Sequence, residues 1–503
     1  VMVIFSERVF AFNEFQVLLP EFLDDVSLWH SEVELHGDYT RYQGKYIDGL
    51  VIGNGSMLAV EGMTTGITRY NKSRLTDSRF HQLERFKNNS NGFIEHLSRS
   101  PKLPLHYMQW VSGPVYTEYP VAYGFYYTMD YSVSGHDKSI EMNGWNFEKQ
   151  YRIRNTNIVK NVLQTEDVLV VSVDFMFAKQ PVLARYVTLT NTSGKAIDTC
   201  RFYVTFYIDP RNYQGNKGQS LTQRSNEPGI NSELEFYIKN VHCSPAVEGK
   251  VVKNAILIES GTKDFDESDT KKLMLVYSPE SFANTGKQFI QFNTGNIEKG
   301  RTKTFCFYIL TSFEGSEIEK NLNLINSSPS VTHLEDSYRF WKDKISEADQ
   351  IAVPLKKDIS PYEKDYIDNL RLFLLSCHTR FGGSIAHPYS YNFVFFRDAY
   401  DVYRAMLALG HREECKATLF FLKEAMNRFG IKMSYSPAEF YLSSSSGSSK
   451  IGETSIPGKF SKSEYMLFFP IMVRDYYYQF NDEEIAVHLY PEMKASLKSQ
   501  PVD

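Results

Sequence analysis

The sequence predicts a multidomain chain that is antiparallel β first and α-helical afterwards. Up to about residue 315 the hydrophobic pattern has a period near two; beyond about residue 330 apolar residues recur at spacings of three and four. A third observation is the punctuation. Clusters of Gly, Asn, Asp, Ser and Pro separate the strand-like runs, and no long helical pattern lies between them.

The strand-like runs are rich in β-branched and aromatic residues. "DVLVVSVDFMFA" (Asp167–Ala178), "PVLARYVTLT" (Pro181–Thr190), "TCRFYVTFYI" (Thr199–Ile208) and "KTFCFYILTS" (Lys303–Ser312) alternate or run apolar, with "AILIES" and "LMLVYS" between them. So many strands at this spacing predict an antiparallel sandwich, read as one large β domain.

The helical part opens with "THLEDSYRFWKDKISEA" (Thr332–Ala348), a polar helix with an aromatic stripe, read as a connector. Ser360, Pro361 and Glu363 then form a helix start: a cap, a proline at the first helical position and the partner of a capping box. Tyr366, Leu370, Phe373, Leu374 and Cys377 are expected on its buried face. A second helix begins near Arg397, with Ala399, Val402, Met406 and Leu409 along one stripe, and ends at Gly410. "REECKATLFFLKEAMNRFG", "YMLFFPIMVRDYYYQF" and "EEIAVHLYPEMKASLK" read as three more. Between the first and second of these three lies Ser436–Phe460, a serine-rich loop too polar to form a core and long enough to be functional or disordered. Helical hairpins joined by long loops suggest a toroid whose loops converge on one cleft.

With 503 residues the chain has room for two or more cores. A net charge of −5 supplies no basic field, so nucleic acid and anionic membrane are not expected partners. The longest apolar runs are too short to span a bilayer. Five scattered cysteines form neither a disulfide framework nor a zinc pattern and read as buried free thiols. HExxH, paired CxxC, P-loop and nucleophile-elbow motifs are absent, so neither metal nor cofactor is expected. The expected compartment is the cytoplasm, with an extracellular location left open if a leader has been removed. Sequons at Asn54, Asn71, Asn88, Asn191 and Asn326 do not decide it. "HREEC" (His411–Cys415) has a metal-like look but reads as a solvated helix start, and His387 as a loop histidine or a contact at the rim of the cleft.

The stretch that bears on function is "SYNFVFFRDAYDVYRAMLALG" (Ser390–Gly410), where Arg397 and Asp398 follow a run of aromatic residues at a helix start. Two readings are open. Asp398 satisfies the first turn of the helix and meets its positive dipole end, leaving Arg397 as a surface residue. Alternatively the pair grips a sugar: Arg donates through a fixed fork, Asp accepts through two oxygens, and together they clamp neighbouring hydroxyls against aromatic faces.

This stretch resembles the second-helix region of the glucoamylase-like glycosidases, glycoside hydrolase family 15. Tyr391, Arg397 and Asp398 match the family spacing, and Phe395 stands where the family usually has Trp. "GLVIGNGSMLAVEGMTTGITRYNKSRLTDSRFHQLERF" (Gly49–Phe86) resembles the opening of the N-terminal β domain of bacterial and archaeal members, with Gly53-Asn54-Gly55 read as a turn. "SYRFWKDKI" resembles their connecting helix and "HLYPEMKASLK" their fifth barrel helix. The resemblance implies a β-supersandwich followed by an (α/α)6 barrel, here only partial. It also implies exo-hydrolysis of α-glucosidic bonds with inversion, by two carboxyls roughly 6.5–9.5 Å apart. The implied substrate-binding residues are Tyr391, Phe395, Arg397 and Asp398, and the implied partner is an α-glucan or oligosaccharide.

The implied domain map is an N-terminal extension (1–45), the β domain (46–330), a linker helix (331–355) and the first part of the barrel (356–503). The family's acid and base fall beyond the chain, and "KFSKSEYM" carries Ser and Lys where the family tends to have a Gln-x-Asp element. Glu439 and Glu453 lie in the long loop without matching either catalytic position. Half a toroid would expose apolar inner helix faces, so a homo-oligomer or a partner subunit is expected if the chain is complete. Two other functions stay open: a non-catalytic glycan-binding or subunit protein, and an inverting disaccharide phosphorylase, which shares the architecture and binds phosphate in place of the base.

Overall fold

The computed structural model describes residues 41–42, 45–46, 49–62, 92–98, 106–112, 123–140, 146–208, 235–263, 269–281, 283–286, 289–312, 315–354, 359–380, 382–384, 394–429, 434–435 and 462–498. Antiparallel sheets occupy its N-terminal part and helices its C-terminal part.

A four-stranded sheet runs in sequence order through β1 (Gly49–Gly53), β2 (Met57–Gly62), β3 (Gly92–Ser98) and β4 (His106–Ser112). Next come β5 (Tyr123–Val133), β6 (His136–Ile140), β7 (Asn146–Arg152), β8 (Val159–Gln164), β9 (Val168–Met176), β10 (Val182–Asn191) and β11 (Ile197–Ile208). β12 (Glu235–Cys243), β13 (Ala255–Lys263), β14 (Asp269–Tyr277), β15 (Ala283–Gly286), β16 (Phe289–Asn293) and β17 (Thr302–Ser312) complete the set. Eight form one sheet in the order β12-β13-β14-β17-β10-β9-β8-β7, and five form another in the order β15-β16-β11-β5-β6.

These two sheets face each other. Val170, Val187, Phe305 and Phe307 of the larger share one core with Tyr127, Met129, Phe202 and Phe292 of the smaller. Phe292 and Phe305 stack across the interface with centroids 4.1 Å apart. Each such buried ring contributes on the order of 1.5–3 kcal/mol. The other face of the larger sheet carries Phe175, Tyr186, Tyr308 and Leu310 into a second core, with Ile318, Leu322, Ile325 and Leu334 of two helices. Its central strands are thus covered on both sides. For that reason "DVLVVSVDFMFA" reads as a nearly continuous apolar run.

One ion pair is sealed between the sheets. Asp174 and Arg185 sit directly opposite in the β9–β10 register, Nε to Oδ1 at 2.8 Å, both side chains almost wholly buried. Asn161 Nδ2 donates to the second carboxylate oxygen at 2.9 Å, and the guanidinium lies over the Tyr127 ring.

Helix α1 (Gly315–Ser327) and α2 (Ser330–Asp349) follow the last strand. α2 joins two cores: Leu334 packs on the large sheet, while Trp341 and Ile345 enter the helical core. That core is built with α3 (Pro361–Cys377), α4 (Phe396–Ala408), α5 (Arg412–Phe429), α6 (Lys462–Phe480) and α7 (Glu483–Lys498). α3 begins with the expected capping box: Ser360 N–H donates to Glu363 Oε2 at 2.7 Å, and Glu363 N–H to Ser360 Oγ at 3.2 Å.

The face α3 buries differs in part from the expected one. Cys377 is buried and Leu374 packs on the helical core, but Tyr366 and Leu370 are 44% and 37% exposed, whereas Asn369, Arg371, Leu372, Leu375 and Ser376 are buried. The reason is the surface α3 packs on. Its end meets the β1–β2 turn and a cluster of charged residues, so polar side chains face inward.

The Gly53–Gly55 turn fastens the sheets to α3. Asn157 Nδ2 reaches both Gly53 O and Ser376 Oγ at 2.8 Å, and Arg380 N–H donates to Gly55 O at 2.9 Å. Asn54 Nδ2 donates to the carbonyls of Phe177 and Gln180 at 2.6 and 2.7 Å. Asn191 is spent in the same way, its Nδ2 donating to Lys195 O and Ile297 O at 2.8 Å. Cys200, Cys306, Cys377 and Cys415 are buried free thiols as expected, while Cys243 is exposed. No described helix is long and apolar enough to cross a membrane.

Candidate functional site

The candidate site is the N-terminal end of α4. A two-residue ladder pairs Val394–Phe395 with Ser434–Tyr435, Phe395 opposite Ser434. The helix starts immediately after, anchored by Phe396 and Ala399, both buried in the helical core. The next residues are therefore held in a fixed position. Arg397 is exposed, and Asp398 is half-buried in the first turn. Burial raises the Asp398 pKa, and the Arg397 guanidinium beside it pulls in the opposite direction.

The ladder also brings a second chain segment to this helix start. Ser434–Tyr435, which follows α5, is held against the two residues that directly precede α4, close to Arg397 and Asp398 in sequence. Of the four sequence-predicted residues, Phe395, Arg397 and Asp398 are consecutive to the ladder and helix start; nothing is described of the Phe395 side chain. Tyr391 lies outside the described residues, as do His387, Glu439 and Glu453.

The structure overturns the reading of "HREEC" as a solvated start. Arg412 and Glu413 are exposed, but His411, Cys415 and most of Glu414 are buried. They join a charged cluster drawn from three helices. Arg371 Nε donates to His411 Nε2 at 2.7 Å, and its NH1 to Asp349 Oδ1 at 2.6 Å. Lys344 pairs with Glu414, whose other oxygen lies 3.7 Å from His411 Nδ1. Thr418 Oγ1 has Gly382 O and Glu414 O as acceptors, so at 3.1 Å it accepts from His378 Nε2.

Burial lowers both imidazoles, His411 to about 3 and His378 to about 4. Burial is the largest influence on Glu414 and opposes its charge, but the Lys344 ammonium together with the neighbouring His378 and His411 outweighs it and holds the carboxyl at about 2. The cluster is a polar joint between α2, α3 and α5. Among the described residues no group of His, Cys, Asp and Glu is arranged to hold a metal.

Two glycines signal this joint. Gly410 adopts φ +80° as the residue past the end of α4, with Gly410 N–H bonded to Leu407 O and His411 N–H to Met406 O. The turn folds His411 inward, and a Cβ on Gly410 would stand 2.1 Å from Ala348 O. Gly382, at φ +98°, is equally close to Ala417 O.

No family model matches the sequence, and no curated protein matches it. Among solved structures, the chain is similar to one named for a kojibiose phosphorylase of the human microbiome, with 8% identity, 86% of this chain covered and a TM-score of 0.49. It is also similar to a bacterial glucoamylase complexed with acarbose, with 9% identity, 76% of this chain covered and a TM-score of 0.40. The chain spans 54% and 62% of the lengths of these two structures. Both scores fall below 0.5, so the functional reading is carried by this chain's own residues.

Proposed function

We propose that this chain is a glucoamylase-like carbohydrate-processing protein that binds the non-reducing end of an α-glucan at the start of α4. The helices from α3 onward would belong to an (α/α)6-type toroid, and the paired sheets to a β-supersandwich. Arg397 donates to one sugar hydroxyl and Asp398 accepts from its neighbour, with Phe395 and Tyr391 supplying apolar faces. The observation that carries this reading is the ladder between Val394–Phe395 and Ser434–Tyr435. It sets the Ser434–Tyr435 segment against the residues that lead into the Arg-Asp pair, which supports a site bordered by two chain segments. A residue that only capped its helix would need no such neighbour.

The reaction class we favour is exo-hydrolysis of α-glucosidic bonds with inversion, and no residue of this chain is assigned as its acid or base. The test is calorimetry with acarbose and maltotriose on the wild type and on Asp398→Asn. The variant is expected to lose at least tenfold in affinity at unchanged melting temperature. Equal affinity in the two proteins would remove the assignment. Release of β-glucose separates hydrolysis from binding without turnover, and phosphate-dependent release of a glucose phosphate would select the phosphorylase alternative.

A further inference from the structure

We propose that a groove on the β-rich half of the chain, built on α1 rather than α4, is a second, non-catalytic saccharide-holding site. The proposal rests on the saccharide reading of the chain and extends it to a different place.

The groove has a volume of about 400 Å³, within the range of small-molecule sites. One wall is the hairpin Ala246–Val247/Lys250–Val251, the other is α1, and the end of β14 closes the floor. Val247 and Leu322 make its base apolar, and Tyr277 adds an aromatic ring. Polar groups stand around that base. Asn323 and Asn326 are exposed on α1, and their amides donate and accept at once, as a sugar hydroxyl does. Lys250 Nζ lies 2.7 Å from Glu319 Oε1, so a donor and an acceptor of matched charge sit side by side. This mixture suits a neutral oligosaccharide: an apolar floor for ring C–H groups and amide and charged edges for hydroxyls.

The walls are fixed before any ligand arrives. Glu248 and Gly249 take φ +47° and +80°, the left-handed pair of a tight two-residue hairpin turn. Glu248 Oε1 lies against Gly315 at the N-terminus of α1, so close that a Cβ there would stand 2.6 Å away. Tyr277 Oη donates to Asn326 Oδ1 at 2.9 Å, and Asn254 Nδ2 to Glu280 O at 2.9 Å. A preformed groove loses little ordering entropy on binding.

The test is titration calorimetry with maltotetraose on the wild type, on Asn323→Ala/Lys250→Ala, and on Asp398→Asn. Both groove positions are exposed and the lost ion pair is a surface one, so folding is preserved. Two binding classes are expected in the wild type. The groove variant should weaken one by at least tenfold and Asp398→Asn the other. A single class that Asp398→Asn removes and the groove variant leaves intact overturns this proposal while the α4 site stands. A single class lost only in the groove variant keeps the groove and removes the α4 assignment. Absence of binding in the wild type overturns both.

Discussion

Gly53 and Ser376 meet so closely that a Cβ on Gly53 would stand 2.5 Å from the Ser376 carbonyl oxygen. The close approach lets Asn157 bond both residues at once, and this contact carries the joint between the first sheet and α3. Gly53→Ala is expected to destabilise the chain by ~1–3 kcal/mol, because the obstruction is backbone and cannot rotate away. Urea unfolding of the two proteins measures it.

Asp174 neutralises Arg185 in the space between the sheets. Asp174→Ala is expected to cost ~3–5 kcal/mol, since it strands a buried guanidinium without its carboxylate. The double variant Asp174→Ala/Arg185→Met should recover much of that loss, which a thermal double-mutant cycle would read directly.

The charged joint predicts acid sensitivity. His411 and His378 titrate near 6.5 when unfolded and at about 3 and 4 when folded. Between those limits the unfolded chain binds more protons, so their contribution is fully present above pH 6.5 and is lost as the pH falls towards 3. Glu414, also lowered, adds the same sign below pH 4.5. The melting temperature should therefore fall steadily from pH 7 to pH 4. His411→Gln, which keeps an acceptor for Arg371, should flatten that slope while costing ~1–2 kcal/mol at pH 7.

Ser360 is exposed, and its side chain caps α3 through Glu363. Ser360→Ala should cost ~1 kcal/mol, read as a lower urea midpoint at unchanged slope.

The sheets were legible because alternation and β-branched runs report burial directly; strands read at Pro181–Thr190 and Lys303–Ser312 form at Val182–Asn191 and Thr302–Ser312. α7 forms over Glu483–Lys498, the stretch its apolar spacing marks. α1 does not stand out in the sequence, although Ile318, Leu322 and Ile325 stand at helical spacing, because asparagines and charges dilute the pattern. The buried face of α3 and the inward turn of His411 were illegible for a different reason. Periodicity assumes that a helix buries its apolar side, and here Arg371, Ser376 and His411 face polar partners instead. At the candidate site, sequence supplied the Arg397–Asp398 pair; the pairing of Val394–Phe395 with Ser434–Tyr435 joins segments too far apart in sequence for periodicity to reveal.

Two of the amides spent on backbone carbonyls, Asn54 and Asn191, are also the acceptor positions of N-glycosylation sequons. A glycan transferred to either nitrogen during synthesis would compete with closure of the turn it stitches, and after closure neither amide is available. In any glycosylating host these two positions set sugar transfer and folding against each other, and replacing the downstream Ser56 or Ser193 would spare the chain that race.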